Sequence, residues 1–367
     1  MTALDLGLGE GTPGPNDAIT DVSGVRVGTT TLIAGDGPLR VGEGPVRTGV
    51  TVVLPTERPF AAPVHAGTSR LNGNGELTGT HWIAESGLLT TPIGLTNTHA
   101  LGVVRDTLVA WEASQRDDRH WWSLPVVGET YDGVLNDING GHVRPEHVLQ
   151  AIASATDGPV AGGNVGGGTG MIAHGFKGGT GSASRVVADG WTVGALVQAN
   201  HGRRARFRVD GLPVGRHLDE QRVPVPITSL PPGAGSVIVV VATDAPLLPH
   251  QCDRLAQRAG LAIGRMGGLG ETSSGDLFLA FATGNAGRIP PVDTRTGPAS
   301  TRTFALDGLP DAAMDALFEA TVQATEAAVL HAMLAAESMT GADDVTAHAL
   351  TAPLLAEALA ALRPSVD

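Results

Sequence analysis

Apolar and polar positions follow two periods along this chain. The runs at 24–28 (GVRVG) and 49–55 (GVTVVLP) are β-branched and bounded by Gly, Pro or Asn, which predicts short strands. PEHVLQAIASA at 145–155 carries its apolar residues at helical spacing, with Pro145 suited to a helix start. WTVGALVQA at 191–199 predicts a strand, and NHGRRARFRVDGLPVG behind it predicts a hairpin. The pattern is cleanest after residue 235. SVIVVVAT and GDLFLAFAT read as buried strands, and residues 246–268 read as an amphipathic helix closed by glycine. A long helix over 311–341 and a shorter one over 352–363 complete the chain. Strands and helices do not alternate regularly, so the expected class is layered α+β in a single domain over 1–367.

Between these elements lie glycine-dense loops, NGNGELTG, GETYDGVLNDINGG and AGGNVGGGTGMIAHGFKGGTGS, and residues 1–15 read as a loose leader. With 51 glycines and only 4% aromatics, tight turns and close backbone contacts are expected, with alanine and valine filling the interior. The formal charge of −13 offers no nucleic-acid footprint and argues against that partner. The densest basic cluster, Arg203, Arg204, Arg206 and Arg208, reads as a solvated loop or strand edge. The single cysteine, Cys252, excludes an internal disulfide and multi-cysteine zinc patterns, and is expected to be a buried thiol. No signal-peptide pattern and no membrane-length apolar run are visible, so a cytoplasmic, membrane-free protein is expected.

Familiar catalytic motifs fail one by one. In the 162–181 glycine run Lys177 is followed by Gly178 and Gly179, not by the Ser or Thr of a phosphate loop. Its amides still suit an oxyanion or carboxylate, and its glycines equally suit close packing of layers. Twelve histidines include no H-E-x-x-H, and His142 and His147 are split by a proline, so no metal is expected. No G-x-S-x-G elbow is present. Trp111, Trp121 and Trp122 read as packing or subunit-contact residues.

Four segments in order carry one resemblance: ETYDGVLNDING, GGNVGGGTGM…FKGGTGSASR, VGALVQANHGRR, and GSVIVVVATDAPLLPHQ followed by SSGDLFLAFAT. With NDAITDVSGVRVG near the start and LFEATVQATEAAVLHAML near the end, the chain resembles the DmpA-type L-aminopeptidase/D-esterase family, which includes the β-peptidyl aminopeptidases. The resemblance implies a four-layer αββα sandwich. It also implies a precursor that cuts itself once, between Gly235 and Ser236, into chains 1–235 and 236–367. The cut pairs would assemble into a homotetramer, and no cofactor is implied.

The resemblance makes Ser236 the nucleophile, and the chemistry is coherent. A serine hydroxyl needs a base to take its proton, and a free α-amine titrates near about 7.7–8.0. Attack of Ser236 Oγ on the Gly235 carbonyl would form an ester that water opens, freeing that amine. The base is then the amine itself or a neighbouring group. The family's second serine and carboxylate fall on Ser274 and Asp276, where aspartate stands in place of the glutamate known in other members. A relay from Ser236 through Ser274 to Asp276 is expected, or a role for Asp276 in holding the new ammonium. Asn200 matches the oxyanion-side asparagine, and Tyr131, the one tyrosine, matches the active-site tyrosine. Glu129 is the candidate for recognising the free amine of a small peptide or amino-acid amide substrate, with Asp132, Asn136 and Asp137 as competitors. If the segment is a strand, positions 129 and 131 share a face. The alternatives are an ornithine-acetyltransferase-like acyl transferase and a non-catalytic member of the fold. The side chain, chirality and α- or β-amino-acid nature of the substrate stay open.

Overall fold

A computed structural model describes residues 9–116, 121–226, 235–291 and 303–363. Strands β1 (Arg26–Ala34) and β2 (Val46–Leu54) are antiparallel neighbours, and each is nine residues long. Then come β3 (Val64–Gly73), helix α1 (Thr80–Ser86), β4 (Leu88–Leu89), β5 (Ile93–Asn97), α2 (Leu101–Ser114), β6 (Val126–Thr130) and α3 (Pro145–Ala153). The middle of the chain supplies β7 (Ile172–Ala173), β8 (Phe176–Lys177), β9 (Gly179–Val186), β10 (Thr192–Asn200) and α4 (Val214–His217). The last third gives β11 (Gly235–Thr243), α5 (Pro249–Arg265), β12 (Ser274–Ala282), α6 (Met314–Leu334) and α7 (Ala352–Leu362).

Two large sheets result, one of four strands in the order β1-β2-β5-β6 and one of six in the order β4-β3-β12-β11-β10-β9, beside two small two-stranded pairs, one of them β7-β8. The period-two pattern of β11 shows how the large sheets stack. Val237, Val239 and Val241 pack with Leu255 and Ala259 of α5 and Ala324 and Ala328 of α6. Ile238, Val240 and Ala242 point the other way and meet Val53, Ile93 and Val126 of the four-stranded sheet. The outer face of that sheet is closed by Val104 and Leu108 of α2 and Val148 and Ala151 of α3. The layers are therefore α, β, β, α. Each fully buried valine contributes roughly 1.5–3 kcal/mol, so the strand that begins at Gly235 is anchored on both faces.

Helix α5 ends as its sequence predicts. Gly267 takes a left-handed φ of 98°, Gly268 N–H donates to Ile263 O at 2.9 Å, and a Cβ on Gly267 would lie 2.1 Å from Arg206 O. Cys252 is fully buried in that helix, and burial pushes its thiol pKa up.

Three expectations are corrected. Residues 9–15 are not loose: Arg185 Nε donates to Glu10 O at 2.6 Å, Val186 N to Thr12 O at 2.7 Å, and Gly14 N to Ser184 Oγ at 3.0 Å. The segment after Asn200 keeps only a one-pair hairpin, in which Val209 and Leu212 exchange backbone hydrogen bonds around Asp210-Gly211, and the rest is wound around the buried Arg204. Its guanidinium donates to the carbonyls of His174, Gly175, Leu218 and Val223 and lies 3.4 Å over the Phe176 ring. The basic cluster is thus not simply solvated, since Arg203 and Arg206 also pair with Glu271. Trp122 packs edge-on against Trp82 at 5.0 Å, and Trp121 lies under Arg116.

The 162–181 glycines serve close packing. A Cβ at Gly168, Gly178 or Gly181 would lie 2.0–2.3 Å from a backbone atom of Thr180, Ala199 or Ala328. The amides of Gly166 and Gly167 are taken by the hydroxyls of Thr31 and Thr51.

Candidate active site

At one end of the six-stranded sheet, four neighbouring strands bring together residues remote in sequence. Strands β11 and β12 run parallel, so both present their N-terminal ends there, with Gly235 opposite Ser274 and Ser236 opposite Gly275. Antiparallel β10 ends beside them, with Asn200 directly opposite Ser236. Position 236 has the parity of Ile238 and Val240, so the serine belongs to the face between the two sheets. Ser236 is buried, and its Oγ accepts a hydrogen bond from Gly275 N at 3.1 Å.

Gly235 has a steric reason to be glycine. A Cβ there would lie 2.1 Å from Asn200 O and 3.1 Å from Asn200 C. The Gly235 Cα therefore lies tightly against the β10 backbone, with no room for a side chain. The loop residues just ahead of it, PPGA at 231–234, lie outside the described residues.

Asn200 is fixed at both ends of its carboxamide. Oδ1 accepts from Ile172 N at 2.8 Å, and Nδ2 donates to Tyr131 O at 2.9 Å. An amide nitrogen carries two hydrogens, so one remains on the Nδ2 side for another acceptor. Gln198, two residues earlier on the same face, donates to Thr96 O and Thr130 Oγ1 and ties the ends of β5 and β6 to the larger sheet. Gly128 lets β6 approach β11, because a Cβ there would meet the Ile238 side chain at 3.1 Å.

Ser274 and Asp276 are joined: Ser274 Oγ donates to Asp276 Oδ1 at 2.7 Å. The shorter aspartate therefore reaches the serine. Its Oδ2 is buried without a hydrogen-bond partner, and burial, with Glu271 nearby, raises the carboxyl pKa to about 6 against the Ser274 bond. The expected relay is only half formed. No hydrogen bond joins Ser236 to Ser274 among the described residues; Gly275 N occupies that side of Ser236 Oγ instead.

Glu129 and Tyr131 do not share a strand face, because β6 stops at Thr130. Glu129 is buried, whereas Tyr131 is 36% exposed and lays its phenol over Gly133. Glu129 Oε1 accepts from Glu76 N at 2.9 Å and Oε2 accepts from Thr98 Oγ1; burial raises its pKa. The Cβ position of Gly75 lies 3.1 Å from Oε1 and 3.0 Å from Gly275 Cα, so one glycine separates this carboxyl from the strand end beside Ser236. The three competitors each have a partner, although Asp132 Oδ2 and Asp137 Oδ1 are buried without one. Asp132 accepts from Asn136 Nδ2, Asn136 Oδ1 accepts from Arg47 N, and Asp137 pairs with His142 and Gly42 N.

Sequence reasoning missed the residues that hold the β12 end in place. Asn72 Nδ2 shares its two hydrogens among the carbonyls of Glu271, Thr272 and Ser274, and Asn74 Nδ2 donates to Ser273 O at 2.9 Å. These two asparagines fix the turn from which Ser274 Oγ and Gly275 N project. NGNG reads as a generic turn, and a backbone N–H such as that of Gly275 has no residue-type signature at all.

Residues 17–347 match the profile of peptidase family S58. The chain is 50% identical over 360 residues to the β-peptidyl aminopeptidase BapA of Sphingosinicella microcystinivorans, covering 94% of this chain and 88% of the relative. Among solved structures, a β-aminopeptidase of Burkholderia sp. superposes with a TM-score of 0.92 at 49% identity, covering 99% of this chain and 100% of that one. The L-aminopeptidase D-Ala-esterase/amidase of Ochrobactrum anthropi, described as a variant of the Ntn hydrolase fold, gives 0.88 at 45% identity with 98% of each chain covered.

Proposed function

The chain belongs to peptidase family S58, and on that premise we propose that it is a self-processing serine aminopeptidase that releases N-terminal β-amino-acid residues from small peptides and amides. Membership of a peptidase family sets aside the ornithine-acetyltransferase alternative. The observation that carries the reading is the register at the strand ends: Ser236 faces Asn200 on one side and takes the Gly275 N–H on the other. Two N–H donors, that of Gly275 and the second Nδ2 hydrogen of Asn200, thus lie beside the nucleophile, where they can turn to the oxygen of a carbonyl that Ser236 attacks.

The steps follow from the residues. In the intact chain Ser236 Oγ attacks the Gly235 carbonyl, the peptide nitrogen leaves as the Ser236 amine, and water hydrolyses the resulting ester. Glycine at 235 leaves that carbonyl without a side chain beside it and lets the chain lie against β10. In the cut enzyme the same hydroxyl acylates on the substrate carbonyl, with the new α-amine or the Ser274–Asp276 pair as proton acceptor. Gly275 N–H and the second Nδ2 hydrogen of Asn200 receive the oxyanion, Tyr131 assists at the leaving amine, and Glu129 pairs with the substrate ammonium. Water then deacylates Ser236. The β-amino-acid preference is supported by the names and identity of the two β-aminopeptidase relatives. Self-association of the cut pairs into a homotetramer belongs to the same proposal and is measured by light scattering.

The test is hydrolysis of p-nitroanilides of β- and α-amino acids, L and D, with and without a free amine. Faster turnover of free-amine β-substrates supports the reading. Turnover of α-substrates alone overturns the β preference, and no turnover of any free-amine substrate by fully cut protein overturns the aminopeptidase.

A further inference from the structure

Lys177 takes no part in the steps above, yet its side chain is completely buried beneath them. Nζ donates to Met171 O at 2.8 Å and Gly178 O at 2.9 Å, with Gly168 O at 3.5 Å. Met171 O also accepts from Gly178 N at 2.8 Å, so both of its lone pairs are engaged. The other end of the same peptide unit is the Ile172 N–H, which donates to Asn200 Oδ1. Ammonium, peptide unit and carboxamide therefore stand in series, and the far end of the series is Asn200 Nδ2.

Each hydrogen bond in such a chain polarises the next, strengthening it by about 10–30% per bond in a low-dielectric interior. Here every polarisation has the same sense: it makes the Nδ2 hydrogens better donors. The series also fixes the amide's orientation. A flipped Asn200 would set Nδ2 against the Ile172 N–H and Oδ1 against Tyr131 O, donor facing donor and acceptor facing acceptor. Burying an ammonium is costly, and a neutral amide would serve these carbonyls at less expense. Burial lowers the Lys177 pKa to about 7, against the Asp132 carboxyl, which favours the charged form.

We propose that Lys177 is a positioning residue for catalysis: acting through the Met171–Ile172 peptide unit, it orients and polarises the Asn200 amide that receives the oxyanion. This rests on the assignment of Asn200 as oxyanion donor.

The test is a double-mutant cycle on cut, active-site-titrated enzyme with a β-aminoacyl p-nitroanilide. Asn200→Ala should lower kcat by about 10²–10³. Lys177→Met should lower kcat by about 10-fold or more with KM changed less than about twofold, and should cost nothing further in the Asn200→Ala background. Lys177→Gln, which keeps a donor and drops the charge, should also lower kcat. A variant that stays uncut is read by its rate of self-cleavage instead. Full additivity with Asn200→Ala, native kcat in Lys177→Met or Lys177→Gln, or failure of both lysine variants to fold would each overturn the proposal. If Asn200→Ala itself keeps native kcat, the oxyanion assignment falls first, and the role of Lys177 with it.

Discussion

Replacing Glu129 by glutamine isolates the charge that the account assigns to substrate recognition. The fold should tolerate the change. In the native site Oε1 takes the Glu76 N–H and Oε2 takes the Thr98 hydroxyl. Glutamine keeps the first bond through its oxygen, and its Nε2 donates to Thr98 Oγ1 once that hydroxyl turns round. The stability cost should stay under about 1 kcal/mol. What disappears is a buried carboxylate facing an ammonium. A hydrogen bond to a charged group contributes about 1.5–3 kcal/mol, which corresponds to about 10- to 150-fold in kcat/KM. The loss should fall on KM, because the amine is bound alike in ground and transition states. The assay compares a free-amine p-nitroanilide with its desamino counterpart, and their kcat/KM ratio should shrink by that factor. Burial raises the Glu129 pKa, so the native carboxylate is lost at less acid pH than an ordinary glutamate. KM of the native enzyme should therefore rise as pH falls through that raised pKa, and the glutamine variant should lack this rise. An equal loss on both substrates, or a loss below about threefold, refutes the assignment.

Three further outcomes are expected. Gly235→Ala puts a Cβ 2.1 Å from Asn200 O, so calorimetry should show a loss of about 1–3 kcal/mol and gels should show slowed self-cleavage; native Tm with native cutting refutes the tight fit against β10. With the Asp276 pKa near about 6, its ionised fraction falls as pH drops through that value. The kcat should fall with it, Asp276→Asn should be slow with no such limb, and a native kcat that is flat across about pH 5–7 counts against the Ser274–Asp276 pair. Asn72→Ala removes the clamp on the 271–274 carbonyls and should lower kcat at unchanged KM, measured against Tm; a loss of Tm alone would make the clamp merely structural.

Much of the framework is legible in the chain. The valines of β11 announce a strand buried on both faces, and Gly267 marks the end of α5 by the left-handed turn it alone can make cheaply. The order of strands in the sheet is not legible, because the Gly235–Ser274 and Ser236–Asn200 pairings join segments that share no local signal. The hairpin expected after Asn200 shrinks to the Val209–Leu212 pair for a physical reason: Arg204 looks like a surface charge until four carbonyls are folded around it. Lys177 reads in the sequence only as a failed phosphate-loop lysine, because its meaning depends on the carbonyls it meets. The candidate site residues were reached through resemblance, and the geometry that relates them came only with the fold.

The central claim is that Ser236 cuts the chain ahead of itself and then serves as nucleophile. Intact-mass analysis of the purified protein beside its Ser236→Ala variant tests both halves at once. The native protein should give two chains, 1–235 and 236–367, with serine at the new N-terminus and peptidase activity, while the variant remains one inactive chain. An uncut but active native protein, a cut at another bond, or a Ser236→Ala variant that still cuts and hydrolyses would contradict it.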